Sequence, residues 1–382
     1  MKIAILGDLF VPQPEKVIID YSVKDVLSSC DFRIINLEAP IEDGKNNTVQ
    51  KSGPIIKHPE SIVDFLSELK IDALTLANNH IMDAGESGFH YTKKKLNDYL
   101  LMGAGCWEDA YQLHVIENNG LKIGFLNLCE MQFGMLSDEW TQGEGSIGCA
   151  WVNHAKANQL IVKSATEVDF LVAIVHAGLE MIDVPLPEWR NRYREMIDMG
   201  CDAIIAHHPH IVQGYEIYKG KPICYSLGNF CFNGGVSNSL IDWNIGALAI
   251  LDFNKNDLSL NLKGCQFKDN CLRLVEQDAW EKKIDQLCQY LNVNYYMERV
   301  NDSCKIMMHD YWNLFAMGGL FSPKAFSIKN LARLPLHKYD DVHLLNNLQC
   351  ESHRWCICRA LRNENQYWCE TKYKKVYSKN YR

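Results

Sequence analysis

Short β-branched runs alternate with amphipathic stretches through the first two-thirds of the sequence, and this alternation limits the fold more than any other feature. The runs are Lys2 to Leu6, Phe32 to Leu37, Ala73 to Leu76, Lys122 to Leu128, Phe170 to Val175 and Ala203 to Ala206. Each reads as a strand buried on both faces. Between them, Pro59 to Leu69, Gly88 to Leu100, Asn153 to Ala165 and Pro187 to Met199 carry apolar residues at helical spacing. Repeated strand, helix, strand predicts α/β architecture. After Ile211 the spacing tightens. Tyr215 to Tyr218, Pro222 to Ser226, Ala247 to Phe253 and Leu258 to Leu262 read as strands joined by turns such as Lys219-Gly220-Lys221, so antiparallel hairpins are expected there. From about Leu272, helical, aromatic and charged residues dominate, as in Ala279 to Val293 and His343 to Leu361. The expected division is one α/β domain over 1–265 and a mainly helical region over 272–382.

Charge and composition narrow the function classes. The formal net charge of -8 leaves no broad basic surface for a phosphate backbone, so no nucleic-acid partner is expected. A small anionic substrate stays compatible, because a bound dication reverses the local field. No apolar run approaches the ~20 residues of a membrane helix, so no integral membrane segment is expected. Met1 to Asp8 enters a strand at once and meets a carboxylate too early for a secretory leader, and the expected location is cytoplasmic. The 15 cysteines are odd in number and scattered, and Cys201, Cys224 and Cys231 sit among strand residues, which favours reduced thiols. Cys350, His353, Cys356 and Cys358 lack paired spacing on a helical segment, so structural zinc is not expected there. Two loops stand out: Glu42 to Gly53 has the composition of a mobile excursion, and Gln132 to Gly148, with Phe133, Met135 and Trp140, is either a lid or an ordinary packed loop.

The residues that end the strands carry the chemistry. Asp8 follows the first run directly, with Gly7 permitting a close approach. Glu38 ends the second, Asn78-Asn79-His80 the third with Asp83 and Gly85 after it, His176 the fifth, and His207-His208-Pro209-His210 the sixth. Taken singly, each fits a turn, a cap or a hydrogen-bonded side chain. In an open α/β sheet, however, the carboxyl ends of the strands form the binding edge, so these groups can converge without being near in sequence. A metal site is therefore expected. Carboxylate, amide and imidazole donors without cysteine suit Mn²⁺, Zn²⁺, Fe or Mg²⁺, and there are donors enough for two divalent ions bridged by Glu38. Of the three histidines, His208 and His210 are the expected ligands. His207 is expected to hydrogen-bond behind them.

In this order, Gly7-Asp8, Asn36-Leu37-Glu38, Ala77-Asn78-Asn79-His80 with Asp83 and Gly85, His176-Ala177-Gly178-Leu179-Glu180, His207-His208-Pro209-His210 and Tyr225-Ser226-Leu227-Gly228-Asn229-Phe230 resemble the CapA family, named for capsular poly-γ-glutamate synthesis and related to the calcineurin-like metallophosphoesterases. The resemblance covers roughly Met1 to Phe253 and implies a four-layer αββα sandwich with a helical extension. It further implies one metal on Asp8, Glu38 and His210, and another on Glu38, Asn79, His176 and His208. His80 would act near the substrate, oriented by Asp83, although Asp83 could instead cap the following helix. The chain departs from the phosphoesterase pattern at Phe10, where a histidine is usual, and at Glu38, where an aspartate is usual. Ala206 replaces a glycine frequent in the CapA pattern, and the expected lack of a leader or anchor would be unlike relatives that work at the envelope.

The leading functional expectation is metal-dependent hydrolysis of a phosphoester by metal-activated water, with His80 protonating the leaving group or stabilising charge, in capsule or anionic-polymer metabolism. The substrate would be small and anionic or derived from a polymer. Glu180 and Asn229 would support ligands or contact substrate, a purely structural Asn229 being the alternative. Two rival expectations remain: a non-catalytic metal-binding accessory protein of poly-γ-glutamate or capsule synthesis, and a metal-dependent γ-glutamyl amide hydrolase. Fold alone does not choose between them. Trp280, Tyr295, Tyr296, Trp312 and Phe315 read as helix-packing core, in a region that covers the catalytic domain or makes a homo-oligomer contact.

Overall fold

Strand β1 (Lys2–Phe10) shows how the apolar runs become layers. Its Ile3 and Ile5 enter one core with Ile34, Phe125, Val172, Ile174 and Ile205, whereas Ala4 and Leu6 enter a second with Val23, Leu27, Phe65, Leu66 and Phe89. Side chains alternate along a strand, so burial on both faces yields a continuous apolar run. The first core lies between two sheets. The second lies between one sheet and the helices Tyr21–Ser28, Ile62–Glu68 and Gly85–Lys95. On the far side, Ala155–Ser164 and Pro187–Asp198 pack on the other sheet and bury Ile161, Trp189, Tyr193 and Met196. The result, in a computed structural model that describes residues 1–45, 47–233, 242–255, 257–318 and 338–368, is a four-layer αββα sandwich.

The strands that position the site are β1, β2 (Phe32–Leu37), β3 (Ala73–Thr75), β4 (Leu121–Cys129), β5 (Phe170–His176), β6 (Ala203–His207), β7 (Asn229–Phe232) and β8 (Ile245–Asn254). In the nine-stranded sheet, β1 lies between β8 and β2, with β3 beyond β2 and β7 pairing its end. In the six-stranded sheet, β5 lies between β6 and β4. The pairs β1–β2, β2–β3, β4–β5 and β5–β6 are parallel, so their carboxyl ends emerge together. Asp8 pairs opposite Asn36 and Asn36 opposite Thr75, while His176 pairs opposite His207.

Three expectations are corrected. The helix expected over Gly88 to Leu100 runs Gly85–Lys95, and Leu100–Met102 is an edge strand beside β3. A short apolar run after a helix suits either state, and the open edge of β3 decides. The region after Ile211 contains the expected hairpins, β8 with Asp257–Lys268 and Cys271–Leu274 among them, yet Lys221–Cys224 pairs parallel to β6 and β7 parallel to β1. The excursion over 42–53 is docked on the sandwich: Ser87 Oγ donates to Asp43 at 3.0 Å and the Val49 amide to the Asp83 carbonyl at 3.4 Å. The second excursion is tied at its base by a three-stranded sheet of Ala104–Gly105, Gly148–Ala150 and Met135–Leu136, and carries Trp140, 97% exposed.

The chain divides into two compact units, Met1–Leu291 and Asn292–Arg382. The first takes in the helix Gln277–Gln289, whose Trp280 packs in the core between the sheets and donates Nε1–H to the Leu262 carbonyl at 2.8 Å. The second comprises the helices Val293–Gly318, Lys338–Gln349 and Glu351–Trp368, which bury Tyr296, Val300, Cys304, Cys350 and Cys356 and leave Tyr295 exposed. The side chains of Trp312 and Phe315 lie outside the described residues. Among the described residues no helix is long and apolar enough to cross a membrane.

Candidate metal centre

At its carboxyl end β1 breaks register twice, between Leu6 and Asp8 against β2 and between Asp8 and Leu9 against β7. Such an irregularity re-aims a side chain, and here it turns Asp8 into the space above both sheets. Gly7 makes it possible. A Cβ on Gly7 would lie 2.1 Å from the Gly228 carbonyl oxygen and 3.0 Å from the Phe230 nitrogen, and the Asp8 amide donates to that same carbonyl at 3.0 Å. Gly7-Asp8 is a close approach of two backbones rather than a turn.

Asn36 organises the carboxylates. Its Nδ2 lies 2.7 Å from Asp8 Oδ1, 2.5 Å from Glu38 Oε2 and 3.4 Å from His176 Nδ1. Its Oδ1 accepts from Thr75 Oγ1 at 3.2 Å and Asn78 Nδ2 at 3.1 Å, which fixes the amide so that its nitrogen faces the acids. Asn78 Oδ1 in turn accepts from the His80 and Ile81 amides at 3.1 and 2.9 Å, closing the turn that presents Asn79 and His80.

The second sheet supplies the imidazoles. His176 Nε2 lies 3.1 Å from Asn79 Oδ1 and 3.4 Å from Glu38 Oε1, and its ring centroid is 4.7 Å from that of His208. His208 and His210 both hold positive φ, 95° and 60°, on either side of Pro209. Backbone of this kind costs of order 1 kcal/mol per residue and persists where the surroundings hold it. His208 Nε2 lies 3.3 Å from Glu130 Oε1. His210 Nδ1 lies 2.9 Å from Asn229 Oδ1, and Asn229 donates its Nδ2 to the Trp243 carbonyl at 3.0 Å, so its oxygen must accept. When neutral, the His210 ring therefore carries its proton on Nδ1 and has its lone pair at Nε2.

The residues fit a metal ion. Ligand atoms of Glu38, His176 and His208 all lie within 4.8 Å of one another, as do those of Glu180, His208 and His210. Glu38 Oε1 is buried with no hydrogen-bond partner among the described residues. Burial pushes the Glu38 carboxyl above its ordinary range and the His176 imidazole down to about 3. A buried carboxylate oxygen lacking a donor, beside a neutral imidazole, is the arrangement a dication would complete. At His210 burial acts downward, but Asp8, Glu38, Glu180 and Asn229 together raise it.

Asp8, Glu38, Asn79, His176, His208 and His210 thus meet at one edge, and Glu180 stands exposed beside them. His207 lies behind the group: its Nε2 is 2.9 Å from the Leu6 carbonyl, a polar link between the two sheets. Asp83 does not cap the helix Gly85–Lys95, which has Ala84 at the cap position and no capping side chain. Its Oδ2 lies 2.7 Å from His80 Nδ1 and accepts from the Ile56 amide at 2.9 Å. Phe10 packs between His58 and Phe232, centroids 5.3 and 5.2 Å away, as part of an apolar wall with Trp243. Sequence reasoning missed Asn36, Glu130 and Lys51. The strand-end rule would have reached Glu130 had the run Lys122 to Leu128 been followed past Cys129. For Lys51, whose side chain is 2% exposed and paired with Asp83, the polar loop held no signal.

The family model described as bacterial capsule synthesis protein PGA_cap matches residues 15–234. The chain is 27% identical over 333 residues to the capsule biosynthesis protein CapA of Bacillus anthracis, covering 78% of this chain and 80% of the relative. It is 28% identical over 225 residues to the PGA biosynthesis protein CapA of Bacillus subtilis (strain 168), with 56% of each covered. Among solved structures it is similar to the sulfate thiohydrolase SoxB of Thermus thermophilus, at a TM-score of 0.39 and 9% identity, over 75% of this chain and 59% of that one. So distant a likeness carries nothing about the site. The family match does reach it, since the matched stretch holds every residue of the cluster from Glu38 to Asn229, and on that ground the chain belongs to the bacterial capsule synthesis protein family, PGA_cap.

Proposed function

We propose that this chain is a metal-dependent hydrolase of phosphoesters acting in capsule or anionic-polymer metabolism. One observation carries the reading: Glu38, His176 and His208 bring their ligand atoms within 4.8 Å while Glu38 Oε1 lacks a donor. In this proposal Asp8, Glu38 and His210 hold one divalent ion, and Glu38, Asn79, His176 and His208 a second. Mn²⁺, Zn²⁺, Fe or Mg²⁺ suits these hard and borderline donors. When bound, such ions supply Lewis acidity toward the substrate oxygens and lower the pKa of water.

The protein's own groups do the rest. Asn36 aims Asp8 and Glu38 by donating to both. Asn229 holds the His210 ring with its Nε2 lone pair outward. His80, fixed from behind at Nδ1, offers Nε2 to the substrate and either donates a proton to the leaving oxygen or stabilises the charge that develops there. Glu180, exposed beside His208 and His210, contacts substrate or supports a ligand.

The wall at Phe10 supports a second reading. It puts a phenyl ring where an imidazole would add a nitrogen donor, so the first ion would be held more weakly, as in an accessory protein that binds metal and polymer without turnover. Purified chain supplied with Mn²⁺, Zn²⁺ or Mg²⁺ should hydrolyse aryl phosphates or phosphodiesters, and His80→Ala should reduce the rate by about 100-fold. Metal uptake without turnover on that panel points to the accessory reading; turnover on γ-glutamyl peptides alone makes the bond an amide.

A further inference from the structure

His80 Nδ1 has two neighbours and can serve one of them. Asp83 Oδ2 lies 2.7 Å away and needs a proton on Nδ1; Lys51 Nζ lies 2.8 Å away and needs a lone pair there. The choice decides what the opposite nitrogen, Nε2, presents to a substrate.

Counting donors against acceptors resolves it. The Lys51 ammonium has three protons. Around it are the Asn79 carbonyl at 3.0 Å, His80 Nδ1, and Asp83 Oδ1 in an ion pair. Asp83 Oδ2 already accepts from the Ile56 amide at 2.9 Å. With Nδ1 as an acceptor, each of these polar groups has a donor or acceptor partner; the Nδ1 lone pair then faces Asp83 Oδ2 at 2.7 Å, and the repulsion is offset by the Lys51 ammonium in contact with both. With a proton on Nδ1, one ammonium N–H would face a ring N–H, and the Lys51 side chain, 2% exposed, has no solvent to turn to. Lys51 reaches this position because its loop is tied down by the Asp43 and Asn47 contacts to Ser87 and by the Val49 amide on the Asp83 carbonyl.

We propose that Lys51 is the positioning residue of His80: it donates to Nδ1, so the neutral ring carries its proton on Nε2 and meets the substrate as a hydrogen-bond donor. Asp83 then acts on His80 through Lys51, by holding the ammonium, instead of by taking the Nδ1 proton. A donor at Nε2 suits a negatively charged oxygen, phosphoryl or carboxylate, and does not suit a role as a base. This rests on the hydrolase reading only for its catalytic consequence; the ring state itself does not depend on it.

The test is two-bond ¹H–¹⁵N correlation of the histidine-labelled full chain at mildly alkaline pH, with His80 identified by the signals lost in His80→Gln. The expected spectrum has Nδ1 at the shift of a bare nitrogen and Nε2 at that of a protonated one. Lys51→Met should exchange the two, handing Nδ1–H to Asp83, whereas Asp83→Asn should leave the wild-type pattern in place. A wild-type ring protonated on Nδ1, or a Lys51→Met spectrum unchanged from wild type, overturns the proposal, and the wild-type spectrum alone decides if the variant does not fold. Where turnover is found, Lys51→Met should cut kcat by about 100-fold with KM little changed. Absence of any turnover would sink the hydrolase reading while leaving the spectrum to decide the ring state.

Discussion

Gly7 runs so close to Gly228 that a methyl group on it would sit 2.1 Å from the Gly228 carbonyl oxygen. Backbone cannot retreat as a flexible side chain can, so Gly7→Ala has to push β1 and β7 apart. A loss of roughly 3 kcal/mol of unfolding free energy is expected, within the range for overpacking a core. Because Asp8 is the next residue, metal affinity should fall with it. Denaturant unfolding and metal titration of the same variant check both effects, and an unchanged midpoint would mean that the strands do not meet as described.

Asn36→Leu removes the one amide shared by Asp8 and Glu38 while keeping the side-chain size. The two buried acids then lose their common donor. Metal affinity should drop by about 10- to 100-fold, the usual effect of losing a group that orients ligands, and can be read by competition with a chelating dye. Asn229→Ala should act in the same range through His210, whose Nδ1 would lose the acceptor 2.9 Å away.

Glu216 gives a pH signature remote from the metal. Its carboxylate accepts from Arg190, Arg194 and Tyr225 at 2.6 to 2.7 Å, tying the strand Tyr215–Tyr218 to the helix Pro187–Asp198. Burial pushes this carboxyl up, but the hydrogen bonds from Arg194, Arg190 and Tyr225 outweigh it and hold it at about 2, against an ordinary 4.5. The folded chain therefore binds this proton less readily than the unfolded one. The stabilisation, roughly 1–2 kcal/mol once solvent screening of this half-buried group is allowed for, is complete above pH 4.5 and is lost as pH falls toward 2. Urea unfolding of wild type and Glu216→Gln should differ by that amount at pH 7 and converge near pH 2. A constant difference across the range would contradict the assignment.

How much of this was legible beforehand depends on whether a residue's role is local. Phe32–Leu37 and Tyr215–Tyr218 have the bounds their apolar patterns imply, and the strand-end residues were readable because parallel strands place their carboxyl ends on one edge. Lys51 was not: the Asn79, His80 and Asp83 groups it meets lie further along the chain, and a lysine in a polar loop looks the same whether solvated or enclosed. Asn36 was visible as a letter in Asn36-Leu37-Glu38 but not as a hub, since what it binds comes from β1, β3 and β5. Leu100–Met102 was read as the end of a helix because only the free edge of β3 makes it a strand.

In the proposed site Glu38 would be shared by two ions. Titrating Mn²⁺ or Zn²⁺ into chelator-stripped wild type and Glu38→Gln by calorimetry, with elemental analysis of the saturated proteins, tests it most directly. Glutamine keeps the shape of Glu38 and removes its charge, and circular dichroism establishes that the variant is folded. The account predicts about two ions per wild-type chain, and weakened uptake of both in Glu38→Gln. A variant that binds metal with wild-type affinity and stoichiometry would contradict it.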